Sequence, residues 1–399
     1  MIYNCLKNTV YFILLINFSC NAQQKLNSDD SDIIVGANLT ETYLPLLKDK
    51  SVAIVGNQTS VIFKKDNSYV HLVDSLLNRK VNIKKVFAPE HGFRGKADAG
   101  EIVKDGIDTK TNLPIVSLYG DNKKPKPEQL LGIDLIIFDI QDVGARFYTY
   151  ISTLHYIMEA CAENNIKLLV LDRPNPNGHY IDGPILVEEF KSFVGMHPVP
   201  IVHGLTIGEY AKMINGESWL NNSLKCDLKV IEMKNYNKTK SYDLPIKPSP
   251  NLPNSKSINL YPSLCFFEGT NVNAGRGTDL QFQIFGSPFL DQNHFEFEFT
   301  PKSNPGAKYP KHENETCYGK NLQNHKTLNQ INLKWLIEAY QNTENQSEFF
   351  NNFFNKLAGN DKLKIQIEAG LSAEEIRATW AEGLKKYQQM ILPYEIYED

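Results

Sequence analysis

The chain has 399 residues, 42% hydrophobic and 22% charged, the composition of an ordinary globular protein with material for two hydrophobic cores. Its net charge of −4 and the lack of any block of Lys and Arg argue against nucleic acid and other polyanions as partners, because the cationic footprint of phosphate recognition is missing.

At the N-terminus, Lys7 precedes a short apolar run, Val10 to Ile16, followed by Phe18, Ser19 and Cys20. The run is too short to span a bilayer and has the form of a secretory signal over residues 1–22. Cys20 directly after a small residue fits lipoprotein processing, with the acylated cysteine as anchor; cleavage after Ala22 is the alternative. The expectation is an exported protein of the periplasm or cell envelope that meets a membrane only through its N-terminus. Cys161, Cys226, Cys265 and Cys317 show no CxxC or Cys/His spacing, so neither a zinc site nor a disulfide-dense scaffold is expected.

From about residue 34, apolar runs at 51–57, 84–88, 135–140, 168–172 and 228–233 alternate with helical patterns. The runs are continuous, as in parallel strands covered on both faces, and predict an α/β fold with a Rossmann-like, doubly wound parallel sheet. Tyr150, Ile151, Leu154, Ile157, Met158 and Cys161 fall on one helical face, and Thr206 with Glu209 forms a capping box opening a second helix. The Pro-, Ser- and Asn-rich stretch 246–257 breaks both periodicities, dividing a Rossmann-like domain, 34–255, from a smaller α+β domain, 256–399. In the latter, 281–285 and 294–300 alternate like strands with one wet face, and helices are predicted over 329–340 and 372–387, the second capped by Ser372 and Glu375.

Polar residues crowd the ends of the apolar runs. FAPEHGFRG, residues 87–95, places Glu90, His91 and Arg94 beyond a buried strand, with Gly92 and Gly95 beside them. The structural alternative is an i,i+4 surface pair of Glu90 and Arg94. Four further segments share this character. They offer Asp139, Gln141, Asp142, Arg146, Tyr148 and Tyr150; Asp172, Arg173 and Asn175; His203; and Glu268, Asn271, Asn273 and Arg276. Any one of them is explicable as a cap or turn, but their recurrence at the ligand-binding edge of a parallel sheet predicts one cleft. No GxGxxG or GxxxxGK[ST] appears, and no GxSxG or HExxH, so no nucleotide, cofactor or metal is expected. Carboxylates, arginines, tyrosines and asparagines remain, a mixture suited to a polar, partly anionic sugar.

FAPEHGFRG, SLYG at 117–120, DIQDVGARFYTYISTL at 139–154, LDRPNPNG at 171–178, HGLTIGEYA at 203–211, PSPNLPN at 248–254 and FEGTNVNAGRGT at 267–278 together resemble the NamZ exo-β-N-acetylmuramidases, formerly DUF1343. The resemblance runs in order from about residue 34 to the C-terminus. It implies a Rossmann-like catalytic domain, a C-terminal auxiliary domain and a cleft between them. It also implies release of N-acetylmuramic acid (MurNAc) from the non-reducing end of peptidoglycan fragments such as MurNAc-GlcNAc, with the catalytic glutamate carried over onto Glu90.

On this reading Glu90 is the general acid, closed in by Phe87 and Phe93, with His91 beside it. Asp142, Asp139, Glu268 and the substrate's own 2-acetamido group are candidates for its partner. Arg146, Arg173 and Arg276 are candidates for the lactyl carboxylate of MurNAc, since bidentate geometry favours arginine. Arg94, Tyr148, Asp172, Asn175, His203 and Asn271 complete the expected binding set. A cell-wall-sugar-binding lipoprotein without catalysis, or an esterase acting on wall peptides, are the alternative functions.

Overall fold

A computed structural model describes residues 32–66, 68–94 and 105–397. The expected signal segment with Cys20 lies outside the described residues, as does Gly95. From Ile33 onward the chain forms one compact unit.

The first half carries β1 (Ser51–Gly56), the hairpin strands β2 (Val61–Phe63) and β3 (Tyr69–His71), β4 (Asn82–Ala88), β5 (Gly106–Ile107), β6 (Pro114–Ser117), β7 (Leu135–Asp139), β8 (Lys167–Leu171) and β9 (Leu228–Ile231). Seven of these form one sheet in the order β5-β6-β4-β1-β7-β8-β9, parallel except at the edge strand β5. Counting only the parallel strands, the spatial order is third, second, first, fourth, fifth, sixth. That is the order of dinucleotide-binding sheets, with its reversal between β1 and β7.

The continuous apolar runs are explained by burial on both faces. Ala53, Val55, Phe87, Ile136, Phe138, Leu168 and Val170 point to one side, where they meet Ile151, Leu154 and Met158 of the helix Tyr150–Glu163 and Met213 of the helix Ile207–Gly216. Val52, Ile54, Val86, Ala88, Ile137, Leu169 and Leu171 point to the other, against Tyr43 and Leu47 of the helix Thr40–Leu47 and Leu72 and Leu76 of the helix Leu72–Asn78. Each fully buried aliphatic side chain of this kind contributes about 1.5–3 kcal/mol.

Register fixes which strand ends share an edge. Val55 pairs with Phe87, Gly56 with Asp139, Ala88 with Ser117, and Phe138 with Val170. The loops after β1, β4, β6, β7 and β8 therefore leave from one rim of the sheet.

The second half carries a smaller antiparallel sheet of β10 (Ile284–Ser287), β11 (Phe297–Phe299) and β12 (Cys317–Asn321), with β12 in the middle. Here the sequence expectation needs correcting. Residues 281–283 are a turn, with Phe282 at φ 52°, and the strand begins only at Ile284, buried throughout. In β12 burial alternates, and Gly319 stands where a Cβ would strike the carbonyl of Phe285. The expected helix over 329–340 starts at Lys334, and the one over 372–387 divides into Ala373–Ala378 and Ala381–Ile391. Thr379 lies at the break, its hydroxyl bonded back to the Ile376 carbonyl at 2.6 Å. The Ser372 and Thr206 capping boxes are both present. The stretch 246–257 is no open linker: Ser249, Asn251 and Leu252 are buried, and Asn254 caps the helix Ser255–Leu264.

Between the helices Tyr150–Glu163 and Ile207–Gly216 runs a buried polar chain. Tyr210 OH meets His197 Nδ1 at 3.0 Å, His197 Nε2 meets His155 Nδ1 at 2.9 Å, and His155 Nε2 lies 3.6 Å from Glu159. Burial pushes His155 down to about 4, against the pull of Glu159, and His197 well below its usual value. An unfolded histidine takes a proton near 6.5, so folded stability falls as pH drops from 6.5 towards 4. His155→Gln is expected to remove on the order of 2 kcal/mol of this dependence at pH 5. Urea midpoints at pH 7 and 5 check it: an equal drop in wild type and variant would refute the assignment.

Candidate active site

Glu90 and Tyr119 stand at equivalent places, each two residues beyond the paired Ala88 and Ser117. Register alone thus brings the carboxylate and the phenol together, and a hydrogen bond joins them. Burial, then the Glu90 charge and this bond, raise the Tyr119 hydroxyl above its usual range. The turn that presents Glu90 closes with Gly92 N–H on the Pro89 carbonyl at 3.0 Å. His91 and Gly92 adopt φ of 69° and 75°, a left-handed pair that costs a non-glycine residue energy and turns the chain sharply out of β4.

A second hold on Glu90 comes from the next crossover. Thr149 occupies the N-cap position of the helix Tyr150–Glu163, where a threonine ordinarily accepts from a backbone N–H. Its side chain makes no such bond; its Oγ1 donates to Glu90 Oε2 at 2.9 Å. The positive end of the helix dipole consequently faces the carboxylate.

Glu90 opens on a cavity of about 790 Å³, within the range that takes a small ligand. His91, Tyr119, Tyr148 and Tyr150 share its sheet-edge wall, while Ser249, Asn251, Leu252 and Tyr261 form part of its floor. The far wall carries Glu268, Asn273, Arg276, Phe282 and the segment 306–311. Arg276 Nε bonds Glu268 Oε1 at 2.7 Å, and the guanidinium lies 5.2 Å above the Phe282 ring. Burial opposes both charges, yet Arg276 and Lys311 hold the Glu268 carboxyl below its usual range, and Glu268 raises Arg276. Lys311 Nζ donates to the carbonyls of Phe267, Thr270 and Val272 at 3.0, 2.5 and 2.9 Å. The hydrogen-bonded carboxylate of Glu90 thus shares the cavity lining with the Glu268–Arg276 pair and Lys311.

Of the residues expected from sequence, Glu90, His91, Tyr148, Tyr150, Glu268, Asn273 and Arg276 line this cavity. The rest lie outside its lining, with structural partners. Arg94 turns away from Glu90 to bridge Asp108 at 2.7 Å and Asp74 at 3.3 Å, so the i,i+4 pair does not form. Asp139 and Arg173 make a buried bidentate pair at 2.6 and 3.0 Å. Arg146 is fully buried and spends Nη1 and Nη2 on the carbonyls of Pro184, Val199, Leu357 and Ala358. Asp142 accepts from Gly144 N–H at 2.7 Å and lies 3.6 Å from His203 Nε2, whose ring nitrogen Nδ1 accepts from Leu205 N–H.

Asp172 accepts from Tyr397 OH, Thr206 Oγ1 and Gly208 N–H; burial nevertheless pushes its carboxyl up to about 7. Asn175 holds the Leu205 carbonyl at 2.9 Å, and Asn271 ties its backbone to Phe349 and His312. Phe87 and Phe93 do not wall the cavity either: Phe87 packs in the core on one sheet face and Phe93 against His71 on the other.

Tyr119, Thr149, Tyr261, Lys311 and the loop 306–310 were not singled out in the sequence. Tyr119 had a usable signal in SLYG, another polar stop after an apolar strand. The loop had none, because its place on the wall depends on Lys311 reaching three carbonyls distant in sequence.

The model of the N-terminal region of the exo-beta-N-acetylmuramidase NamZ matches residues 52–256, and that of its C-terminal region matches residues 259–397. The peptidoglycan beta-N-acetylmuramidase NamZ of Bacillus subtilis (strain 168) is 38% identical over 379 residues, 90% of each chain. Two crystal structures of DUF1343 family proteins from Bacteroides fragilis NCTC 9343 align with TM-scores of 0.84 and 0.76, at 47% and 26% identity. Each covers 92% of this chain, over 100% and 99% of its own length. Fold, cleft and these matches define a glycoside hydrolase on a Rossmann-type sheet. The chain belongs to the NamZ exo-β-N-acetylmuramidase family.

Because Thr149 donates to Glu90, Thr149→Val is expected to lower kcat for glycoside hydrolysis about tenfold with little change in KM, and Thr149→Ser to restore it. A rise in KM alone, or no rescue by serine, would assign Thr149 a structural role only.

Proposed function

We propose that the protein removes N-acetylmuramic acid from the non-reducing end of peptidoglycan fragments such as MurNAc-GlcNAc, with Glu90 delivering the proton to the departing sugar oxygen. The observation that carries this is the position of Glu90: among the expected acidic residues it alone combines a strand-end turn, a threonine and a tyrosine donor, and a cavity wall. The substrate class follows the activity for which the Bacillus subtilis relative is named.

Asp139 and Asp142 are engaged outside the lining, which leaves Glu268 as the other glutamate or aspartate lining the cavity among the described residues. Its pairing with Arg276 suits it to holding that arginine in place. The nucleophile is then the 2-acetamido group of the substrate itself, a route some glycosidases use. Arg276 takes the lactyl carboxylate, being the one of the three nominated arginines in the cavity wall. An exported protein, anchored at Cys20 or released after Ala22, meets such fragments in the envelope.

The test is release of p-nitrophenol from p-nitrophenyl β-MurNAc beside its GlcNAc analogue. Wild type is expected to cleave only the MurNAc compound, and Glu90→Gln to lose at least about 100-fold in kcat. Arg276→Met is expected to raise KM about tenfold or more, the loss of a charge-assisted contact. A folded wild type that turns over neither compound would sink the reading in favour of a sugar-binding protein.

A further inference from the structure

The cavity mouth has a chemistry that the terminal-sugar site does not use. The segment 306–311 lines the far wall along its whole length, and both of its ends are tied down. Asn251 Nδ2 donates to the Gly306 carbonyl at 2.7 Å, Asn304 and Ala307 exchange backbone hydrogen bonds, and Lys311 is fixed to three carbonyls. Between these anchors Ala307 and Pro310 are buried, but Tyr309 keeps 82% of its surface exposed, with Lys308 Nζ 5.6 Å from the centre of its ring. Phe353, another lining residue, is 38% exposed. Phe193, also a lining residue, stacks on Tyr156 at 6.3 Å, with Lys123 Nζ 5.0 Å from its ring.

Single exposed aromatics are common and mean little by themselves. Here they fall in the lining of one cavity, Tyr309 on a held loop, and Tyr309 and Phe193 are each accompanied by a lysine. An aromatic face takes the C–H face of a pyranose, and the adjacent ammonium groups favour a saccharide that carries carboxylates. An enzyme that works from the chain end takes the terminal sugar in first, so whatever is bonded to that sugar lies towards the mouth.

We propose that Tyr309, with Phe353 and Lys308, forms a subsite for the amino-sugar chain on the leaving side of the scissile bond, favouring an anionic oligosaccharide over a lone MurNAc glycoside. This rests on the reading of the cleft as a chain-end muramidase.

The experiment compares kcat/KM for methyl β-MurNAc and for a MurNAc-ended tetrasaccharide, in wild type and Tyr309→Ala. The ratio of tetrasaccharide to methyl glycoside is expected to fall about 3- to 10-fold in the variant. An unchanged ratio, including an equal loss on both substrates, would overturn the subsite. Should wild type cleave neither compound, the muramidase reading falls. Calorimetric binding of the tetrasaccharide to both forms then still decides the rim: weaker binding by the variant upholds it and equal Kd values overturn it.

Discussion

The structure turns on one buried guanidinium. Arg146 has no carboxylate partner among the described residues, and burial pushes it down to about 9. Its charge is instead spread over the carbonyls of Pro184, Val199, Leu357 and Ala358, while its backbone N–H bonds the Ile201 carbonyl at 2.7 Å. Leu357 and Ala358 end the short helix Phe354–Ala358, whose carbonyls carry the negative end of its dipole. Gly359 follows at φ 75°, and a Cβ there would come within 2.5 Å of Arg146 Nη2. Phe147 to Tyr150 continue from Arg146 into the sheet-edge wall of the cavity, and Phe353 and Leu357 lie in its lining. One side chain therefore clamps two walls of the site together. Removing it would strand four buried acceptors, the kind of loss that costs several kcal/mol.

The same economy explains why similar strand ends have different fates. Beyond β7 and β8, polar residues are consumed by covering segments. Arg173 crosses to Asp139 and to the Val61 carbonyl, and Asp172 is met by Thr206, Gly208 and Tyr397 from near the C-terminus. Among the described residues, the ends of β4 and β6 lead instead to Glu90 and Tyr119, which line the cavity. Glu90 keeps contact with the cavity while Thr149 and Tyr119 hold it from the side.

Opposite Glu90, the pairing of Glu268 with Arg276 serves both partners. An arginine already hydrogen-bonded at Nε, over the Phe282 ring, has a fixed plane to offer. Asn273 adds to this by donating to the carbonyls of Arg276 and Lys311 at 3.1 and 2.7 Å. The unusual φ of Phe282 belongs to the same arrangement, since that turn sets its ring against Tyr261 and beneath the guanidinium.

Much of this was legible in the chain itself. Five continuous apolar runs marked β1, β4, β7, β8 and β9, because a strand covered on both faces needs no polar alternation; the sixth parallel strand, β6, was not among them. The spacing of Tyr150 to Cys161 and the boxes at Thr206 and Ser372 gave helices, because those signals are local in sequence. Glu90 was legible as a polar stop after a buried strand. Which of the other polar residues reach the cavity was settled only by tertiary structure. Arg146, Arg173 and Arg276 are the same residue type in similar settings, and nothing within a few positions of each says whether it will meet carbonyls, a carboxylate or a ligand. Their partners lie at separations of 8 to 212 residues, from Glu268 beside Arg276 to Ala358 beyond Arg146. The sequence determined most of the parallel strands and the polar turn at Glu90 through short-range pattern; burial and long-range hydrogen bonding decided which charges face the cavity.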